Sequence, residues 1–306
     1  MYPQTMWFDS VAAISEAVAG SLDVMREIDG EIAKSSLTRG FCAHCGKVRD
    51  LQVNGGAMFG ADVNLREGLV CQSCGLNSRS RHLYMEARTC FEPTDRLALL
   101  EAFSPLSRYA AAVWPAMMLS EFHGPGSRGG EPYTFLDHQG GRRTAVHQDM
   151  QALSFDDGCL NGILHNDVLE HVPDPLAGLK ECHRVLAPGG VALFTVPFFP
   201  WLPETLVRGR LDESGALVEL LPTELHGDGL RPDGIYTFHN FGADFADLVT
   251  RAGFADVSFG VCYDPYAGLV TNNYRYGDEF LMLPTVVRAV RERMDETDPS
   301  PASIME

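Results

Sequence analysis

Four cysteines stand in two CxxC pairs, Cys42 with Cys45 and Cys71 with Cys74. Each short turn delivers two sulfurs to one side of a metal, so four thiolates predict a tetrahedral Zn²⁺ site. Such a site is structural, because four thiolates leave no position open for substrate. The gap between the pairs is a little longer than the commonest ribbon spacing. It contains Gly55-Gly56 and a β-like Leu69-Val70, which suits two hairpins. The competing reading is a set of buried or redox thiols, and Gly75 directly after the second pair argues against it. Cys90, Cys159, Cys182 and Cys262 have no partner spacing and read as ordinary buried thiols. Arg79, Arg81 and His82 start a helix toward Cys90, where they solvate that helix in preference to binding an anion.

Acidic residues form the second chemical pattern. Glu101 heads the loop after a first strand, Leu97 to Leu100, and Glu121 closes a second, Met117 to Ser120. An acid about twenty residues past the first turn is the ribose-hydroxyl ligand of dinucleotide-type folds. A third strand, Thr144 to Gln148, ends at Asp149-Met150; as a purely structural residue Asp149 would cap the turn at Gln151. Further on, Pro200, Pro203, Pro222 and Pro232 punctuate an insertion from Pro197 to Gly242. Loops this long inside a domain are usually functional. It contains an expected hairpin over Thr205 to Leu221, turning at Glu213-Ser214-Gly215, and then Glu224, His226 and His239. These three either brace the loop or act in chemistry, and together they are also a candidate second metal site.

The elements that position these residues centre on Phe155 to Phe198. An apolar run, Leu160 to Leu164, ends at His165-Asn166-Asp167. A helical pattern follows through Leu176, Leu179, Val185 and Leu186, and Pro188-Gly189-Gly190 stops it. Val191 to Val196 then reads as a strand buried in a parallel sheet. Strand, helix and strand make one βαβ unit with a right-handed crossover.

This stretch, with the Leu169-Glu170-His171 helix start and the Arg184-Val185-Leu186 run before Pro188-Gly189-Gly190, resembles class I S-adenosylmethionine (SAM)-dependent methyltransferases of the ubiquinone/menaquinone-methyltransferase-like branch. The match is dense over about 45 residues. A subset with a glycine-poor first loop and a leading four-cysteine module ending Cys74-Gly75-Leu76-Asn77 is similar to this chain from about Cys42 to Leu283. The resemblance implies an α/β fold: a Rossmann-like seven-stranded methyltransferase sheet, with a small N-terminal helix plus a zinc-ribbon module. It implies SAM as cofactor, held by Glu101, Ala102, Phe103, Glu121, Asp149, Met150 and Asn166. Asp149 would accept the adenine amine and Met150 pack on the ring. The loop Glu101 to Leu106 lacks the glycines usual at the methionine portion. Methyl transfer needs alignment, and a base where the acceptor must lose a proton. The candidate bases are His226, His239 and His171; for His171 the alternative is a hydrogen bond to backbone. The insertion is the expected substrate lid, with His226 or His239 nearest the acceptor.

The expected acceptor is a small molecule or a sugar-containing compound. A second reading, a zinc-ribbon RNA methyltransferase, is opposed by a net charge of −17 across 306 residues. A third, a non-catalytic relative kept as a binding protein, follows from the glycine-free loop. Residues 9 to 34 read as one amphipathic helix with Val11, Ile14, Val18, Leu22, Met25, Ile28 and Ile32 on one face, for docking or homodimer formation. No apolar run suits a membrane span, and no secretory signal is visible, so a cytoplasmic protein is expected. The last elements are a helix over Asp244 to Ala252, a strand over Asp256 to Val261, an antiparallel strand over Asp278 to Leu283 and a helix over Val286 to Met294. Expected divisions are 1–38 (helix), 39–92 (ribbon and linking helix), 93–290 (methyltransferase domain) and 291–306 (tail).

Overall fold

The computed structural model describes residues 2–54, 58–59, 62–136, 140–273 and 282–293. The chain opens with β1 (Met6–Phe8), α1 (Val11–Val18) and α2 (Leu22–Ala33). The single helix expected over residues 9 to 34 is therefore two, broken at Ala19-Gly20-Ser21. Gly20 is costly inside a helix, and the Ser21 carbonyl starts the second by accepting from Met25 N at 2.9 Å. α1 buries Val11, Ile14 and Val18 in the core. α2 packs Leu22 and Met25 against the same core and Ile32 against the other, and its fully buried residue is polar: Asp29 accepts from Tyr263 Oη at 2.9 Å and Thr271 N at 3.0 Å.

The cysteine module comprises β2 (Leu37–Cys42), β3 (Lys47–Val53), β4 (Met58–Phe59), β5 (Asp62–Val63), the single turn α3 (Leu65–Gly68) and β6 (Leu69–Cys71). α4 (Ser78–Cys90) leads out of it. β2, β3 and β6 form an antiparallel sheet. A Cβ on Gly40, in β2, would lie 2.2 Å from the Tyr266 carbonyl oxygen. Gly40→Ala should therefore lower stability by about 1–3 kcal/mol, as overpacking does, and shift the thermal midpoint down. An unchanged midpoint would mean that this close approach is loose.

The large sheet follows: β7 (Leu97–Leu99), α5 (Pro105–Val113), β8 (Met118–Glu121), β9 (Pro132–Leu136), β10 (Arg142–His147), β11 (Leu160–Asn166), a 3₁₀ turn (Leu169–His171), α6 (Pro175–Val185) and β12 (Leu186–Thr195). The insertion contributes β13 (Leu206–Val207), β14 (Gly209–Leu211), β15 (Leu217–Glu219), β16 (Leu225–His226), β17 (Ile235–Tyr236) and β18 (His239–Asn240). The chain returns through α7 (Phe245–Arg251), β19 (Asp256–Val261) and β20 (Thr285–Val290).

The sheet order is β1-β19-β20-β12-β11-β7-β8-β10-β9. β10, β8, β7, β11 and β12 run parallel. β20 and β19 add antiparallel beyond β12. Nine described strands replace the seven expected. β9, expected to be part of a mere connection over Pro132 to His138, pairs antiparallel with β10, and β1 closes the far edge on β19.

The end of the chain also differs. Val286 to Val290 lies in β20, not in a helix, because Val286, Val287 and Ala289 are buried while paired to β12 and β19. Of the strand expected over Asp278 to Leu283, residues 278–281 lie outside the described residues, and Met282 and Leu283 belong to no strand. α6 ends at Val185, and Pro188-Gly189-Gly190 falls inside β12, where the register against β11 shifts. The hairpin around Glu213-Ser214-Gly215 is present as β14 and β15.

Side chains alternate across the sheet, as the pleat requires. Ala98, Phe194 and Val287 face the α1, α6 and α7 side. Leu97, Leu99, Leu193 and Val286 face the other, in one continuous core with Cys42, Cys71, Cys74, Leu83 and Trp114. The cysteine module is thus built into the packing of one sheet face. Among the described residues no helix is long and apolar enough to cross a membrane.

Candidate functional site

The four paired cysteines converge. Cys42 Sγ lies 3.8 Å from Cys74 Sγ, and Cys45 Sγ 4.0 Å from Cys71 Sγ. All four sulfurs fall within 4.8 Å of one another. Tetrahedral thiolates about 2.3 Å from Zn²⁺ stand roughly 3.8 Å apart, so the donor set fits that ion. A contact from Cys74 pulls the Cys42 thiol down to about 5, and burial pushes Cys45 up to about 11. His44 packs its ring 3.9 Å from that of Tyr109, whose hydroxyl donates to the Cys74 carbonyl at 3.1 Å. The other cysteines stand apart from this cluster; burial raises Cys182 and Cys262 to about 12.

The residues after the second cysteine pair are buried and bonded, contrary to the solvating role expected of them. Gly75 takes a left-handed φ of 76°. Asn77 then caps α4 by accepting from Ser80 N at 3.0 Å. Arg81, with no exposed surface, donates to the carbonyls of Leu69, Leu76 and Gly268. It ties the module to the 3₁₀ turn Pro265–Ala267 beside it. Burial holds His82 down to about 3, a neutral ring beside the Thr5 hydroxyl.

Arg79 and Arg66 reach further. Arg66, on α3, forms a two-pronged pair with Asp167 at 2.5 and 2.7 Å. Arg79 donates to Glu67 at 2.6 Å and to the Asn166 carbonyl at 3.0 Å, and lies 3.4 Å from Asp167. Thr195 Oγ1 completes the ring by donating to Asp167 Oδ1 at 2.7 Å. Asp167 is one of two described non-glycine residues with positive φ, at 55°. Burial alone would raise its carboxyl, but the two guanidinium groups hold it far below the usual range. The sequence marked Asp167 as part of a polar cluster. It carried no sign that Arg66 would supply the partner.

This ring stands at the switch point of the sheet, where order reverses between β7 and β11. Ligands of open α/β sheets bind outside the carboxyl ends of strands at such a point. Glu101 follows β7 there. Its Oε1 accepts from Ser104 Oγ at 2.7 Å, and burial raises its carboxyl. The turn from Glu101 to Pro105 contains no positive φ. Serines shape it instead: Ser104 caps α5, accepting from Ser107 N, while Ser107 Oγ donates to the Ala102 carbonyl at 3.0 Å. The loop therefore turns without glycine. Phe103 packs edge-on against Phe135 of β9.

Glu121, at the end of β8, faces Ala102. Its two oxygens accept only long bonds, 3.4 Å from Ala102 N and 3.3 Å from Phe122 N. Burial lifts its carboxyl to about 7. At the next strand end, Asp149 Oδ1 accepts from Gln151 N at 2.9 Å, so it does cap that turn. Met150 is buried in the core. Asn166 is less available than expected, since its side chain donates to Ser80 Oγ and shares the single Thr195 hydroxyl proton with Asp167.

The histidines separate into two groups. His239, on β18, stacks its ring at 10° on Phe241, and burial holds it down to about 4. His226 and His171 meet instead, with ring centroids 5.0 Å apart. Glu170 lies between them, fully buried. Burial would lower His226, but the Glu170 and Glu224 carboxylates raise it to about 10. His171 Nδ1 donates to the Tyr236 carbonyl at 2.9 Å. The structure thus joins two predicted histidines through Glu170, and leaves His239 in the core.

The parallel strands, their switch point and the acidic residues at their ends define a methyltransferase fold, and residues 133–194 match the family described as Methyltransferase domain. That match covers β9 to β12, about a fifth of the chain. Demethylmenaquinone methyltransferases from two strains of Staphylococcus epidermidis are 43% identical over 58 residues, 19% of this chain and 24% of theirs. The chain thus matches about a quarter of the length of these curated relatives. Among solved structures, Burkholderia thailandensis 1,6-didemethyltoxoflavin-N1-methyltransferase, with bound 1,6-didemethyltoxoflavin and S-adenosylhomocysteine, is 15% identical. The similarity covers 70% of this chain and 79% of that one, at a TM-score of 0.40. A SAM-dependent methyltransferase from Mesorhizobium loti is 14% identical over 68% of this chain and 98% of its own, at 0.38. At these TM-scores neither likeness says what this chain binds.

Proposed function

We propose that this protein transfers a methyl group from SAM to a small-molecule or sugar-containing acceptor, and that Cys42, Cys45, Cys71 and Cys74 hold a structural Zn²⁺. One observation supports the SAM reading above the others. Glu121 is a partly buried carboxylate, at the position where an acid binds a ribose diol, with two long hydrogen bonds. Two ribose hydroxyls would supply the short donors it lacks. They would also stabilise its charged form, which burial disfavours.

Bound SAM would supply an electrophilic sulfonium methyl. The work of the chain is then to hold and align. Glu121 orients the ribose, and Asp149 presents its second oxygen toward an adenine amine. Glu101 and the start of α5 bound the methionine end. The insertion from Pro197 to Gly242 covers the acceptor side and excludes water. It lies against the 3₁₀ turn after β11, where Phe238 N donates to the Glu170 carbonyl at 2.8 Å.

Glu121→Ala should weaken SAM by about 1–3 kcal/mol, as for loss of a charged acceptor. The thermal midpoint of the unliganded protein should not fall. Calorimetric titration of wild type and variant with SAM checks both arms. Wild-type protein that takes up no SAM would sink the methyl-transfer reading, and equal affinity in a folded variant would remove Glu121 from the site.

A further inference from the structure

The cluster under the insertion has an unusual arrangement of protons. Glu170 has no exposed surface, and neither carboxylate oxygen has a hydrogen-bond partner. Its Oε1 lies 3.6 Å from His171 Nε2 and 3.7 Å from His226 Nδ1, too far for a hydrogen bond.

Each imidazole spends its N–H on the outer side. His171 Nδ1 faces the Tyr236 carbonyl at 2.9 Å, and a carbonyl can only accept. His226 Nε2 faces Glu224 Oε1 at 3.3 Å. Glu224 is itself fixed, by Asn240 Nδ2 at 3.0 Å and Arg208 Nη1 at 3.2 Å. In neutral rings the inner nitrogens, His171 Nε2 and His226 Nδ1, then carry lone pairs. Those lone pairs point at a carboxylate that also offers only lone pairs. Three acceptors facing one another in a buried space repel, unless a proton or a metal cation lies between them.

Metal-binding histidines have this outer arrangement, with the second ring N–H given to a carbonyl or carboxylate. We propose that Glu170, His171 and His226 form a binding site for a divalent first-row transition ion, separate from the four cysteines. The three donor atoms fall within 4.8 Å of one another. An ion about 2.1 Å from each sets tetrahedral neighbours roughly 3.4 Å apart, a few tenths below the two distances to Glu170. Two imidazoles and one carboxylate select Zn²⁺, Fe²⁺, Co²⁺ or Ni²⁺ over Mg²⁺ and Ca²⁺, which prefer oxygen. Three protein ligands leave positions open. The His226 side chain, 33% exposed, marks the side from which they are reached. On the methyl-transfer reading, those positions would take an oxygen donor of the acceptor; the ion site itself does not depend on that reading.

Glu224, His226 and His239 were the trio marked in the sequence. The structure keeps His226 as a ligand and Glu224 as its support. Glu170 and His171 replace His239.

The test uses the full chain, purified without chelator, then dialysed and titrated with Co²⁺. Metal analysis together with Co²⁺ uptake should account for one ion per chain beyond that held by the cysteines. Where that ion is Co²⁺, it should show weak visible bands and no thiolate charge-transfer band. Glu170→Gln and His226→Ala should each lose this ion, or at least tenfold in its affinity, while keeping the cysteine-bound ion and a folded circular-dichroism spectrum. Glu224→Gln should weaken it about tenfold through His226. Folded wild type holding and taking up no second ion would overturn the proposal, and the cluster would then be a proton held between His226 and the buried carboxylate. A second ion showing thiolate bands, or one retained unchanged in Glu170→Gln and His226→Ala, would overturn it equally. SAM affinity is measured separately, so failure to bind SAM leaves the ion result standing.

Discussion

Cys42→Ser or Cys71→Ser is expected to remove the structural ion and unfold the chain near room temperature. Metal analysis should fall by one Zn²⁺ per chain, with loss of the cooperative thermal transition. Apparent zinc-binding free energies in small modules run to about 10–16 kcal/mol at neutral pH. Whole domains are stable by only about 5–15 kcal/mol. Losing even part of the first quantity exhausts the second. The effect should spread because Cys42, Cys71 and Cys74 share one core with Leu97, Leu99, Leu193 and Val286 of the large sheet. Wild-type protein that is stable without any cysteine-bound metal would refute this.

Arg66→Met is expected to destabilise the protein by about 3–5 kcal/mol, the cost of leaving a buried charge without its partner. Asp167 would keep Arg79 at 3.4 Å but lose the two-pronged pair at 2.5 and 2.7 Å. Adding Asp167→Asn should recover much of the loss, since the pair need not be worth more than a neutral replacement. Urea unfolding of the two single variants and the double variant measures the coupling. Near-additive losses would show that the two side chains stabilise the fold independently. The wild type also has a pH signature. The Asp167 carboxyl is held below its ordinary range, so its contribution is complete above about 3.9, the unfolded value. It is lost as pH falls toward the depressed folded value. The Arg66 variants should show a shallower acid transition.

The parallel strands were legible because Leu160 to Leu164 and Val191 to Val196 are apolar runs bounded by turn residues, and the helix between them repeats at the helical period. The cysteine cluster was legible because its spacing is local. Element identity failed where burial, not period, decides. Val286, Val287 and Ala289 sit among Arg288, Arg291 and Glu292, a mixture that reads as an amphipathic helix, yet pairing on both sides makes it a strand. β9 and β1 were missed as edge strands, which need only one neighbour and carry a weak pattern. Strand-end positions were legible, as with Glu101, Glu121 and Asp149, which follow or close β7, β8 and β10. The site was illegible where two distant segments meet. Arg66 is 101 positions from Asp167, and His226 meets Glu170 across an insertion of irregular backbone. Asn166 was chosen by position along the chain, but Ser80 and Thr195 claim its side chain.

The Arg66–Asp167 pair also orders events during synthesis. The cysteine module leaves the ribosome early, and its sulfurs could gather around the proposed ion once Cys74, just past β6, has emerged. Its one helical turn, α3, carries a guanidinium that ends with 3% of its side chain exposed. Until the residues after β11 are made, only the neighbouring Glu67 can pair that charge, and its two-pronged partner is missing. If the cysteines hold the proposed ion, a growing chain would therefore pass through a stage in which the module is metallated but unseated. Its final docking waits for the segment that completes the switch point. Seating the cysteine module and forming the backbone turn at Asp167 would then be one step, so a chain that fails to seat the module would also lack the floor of the proposed ligand crevice.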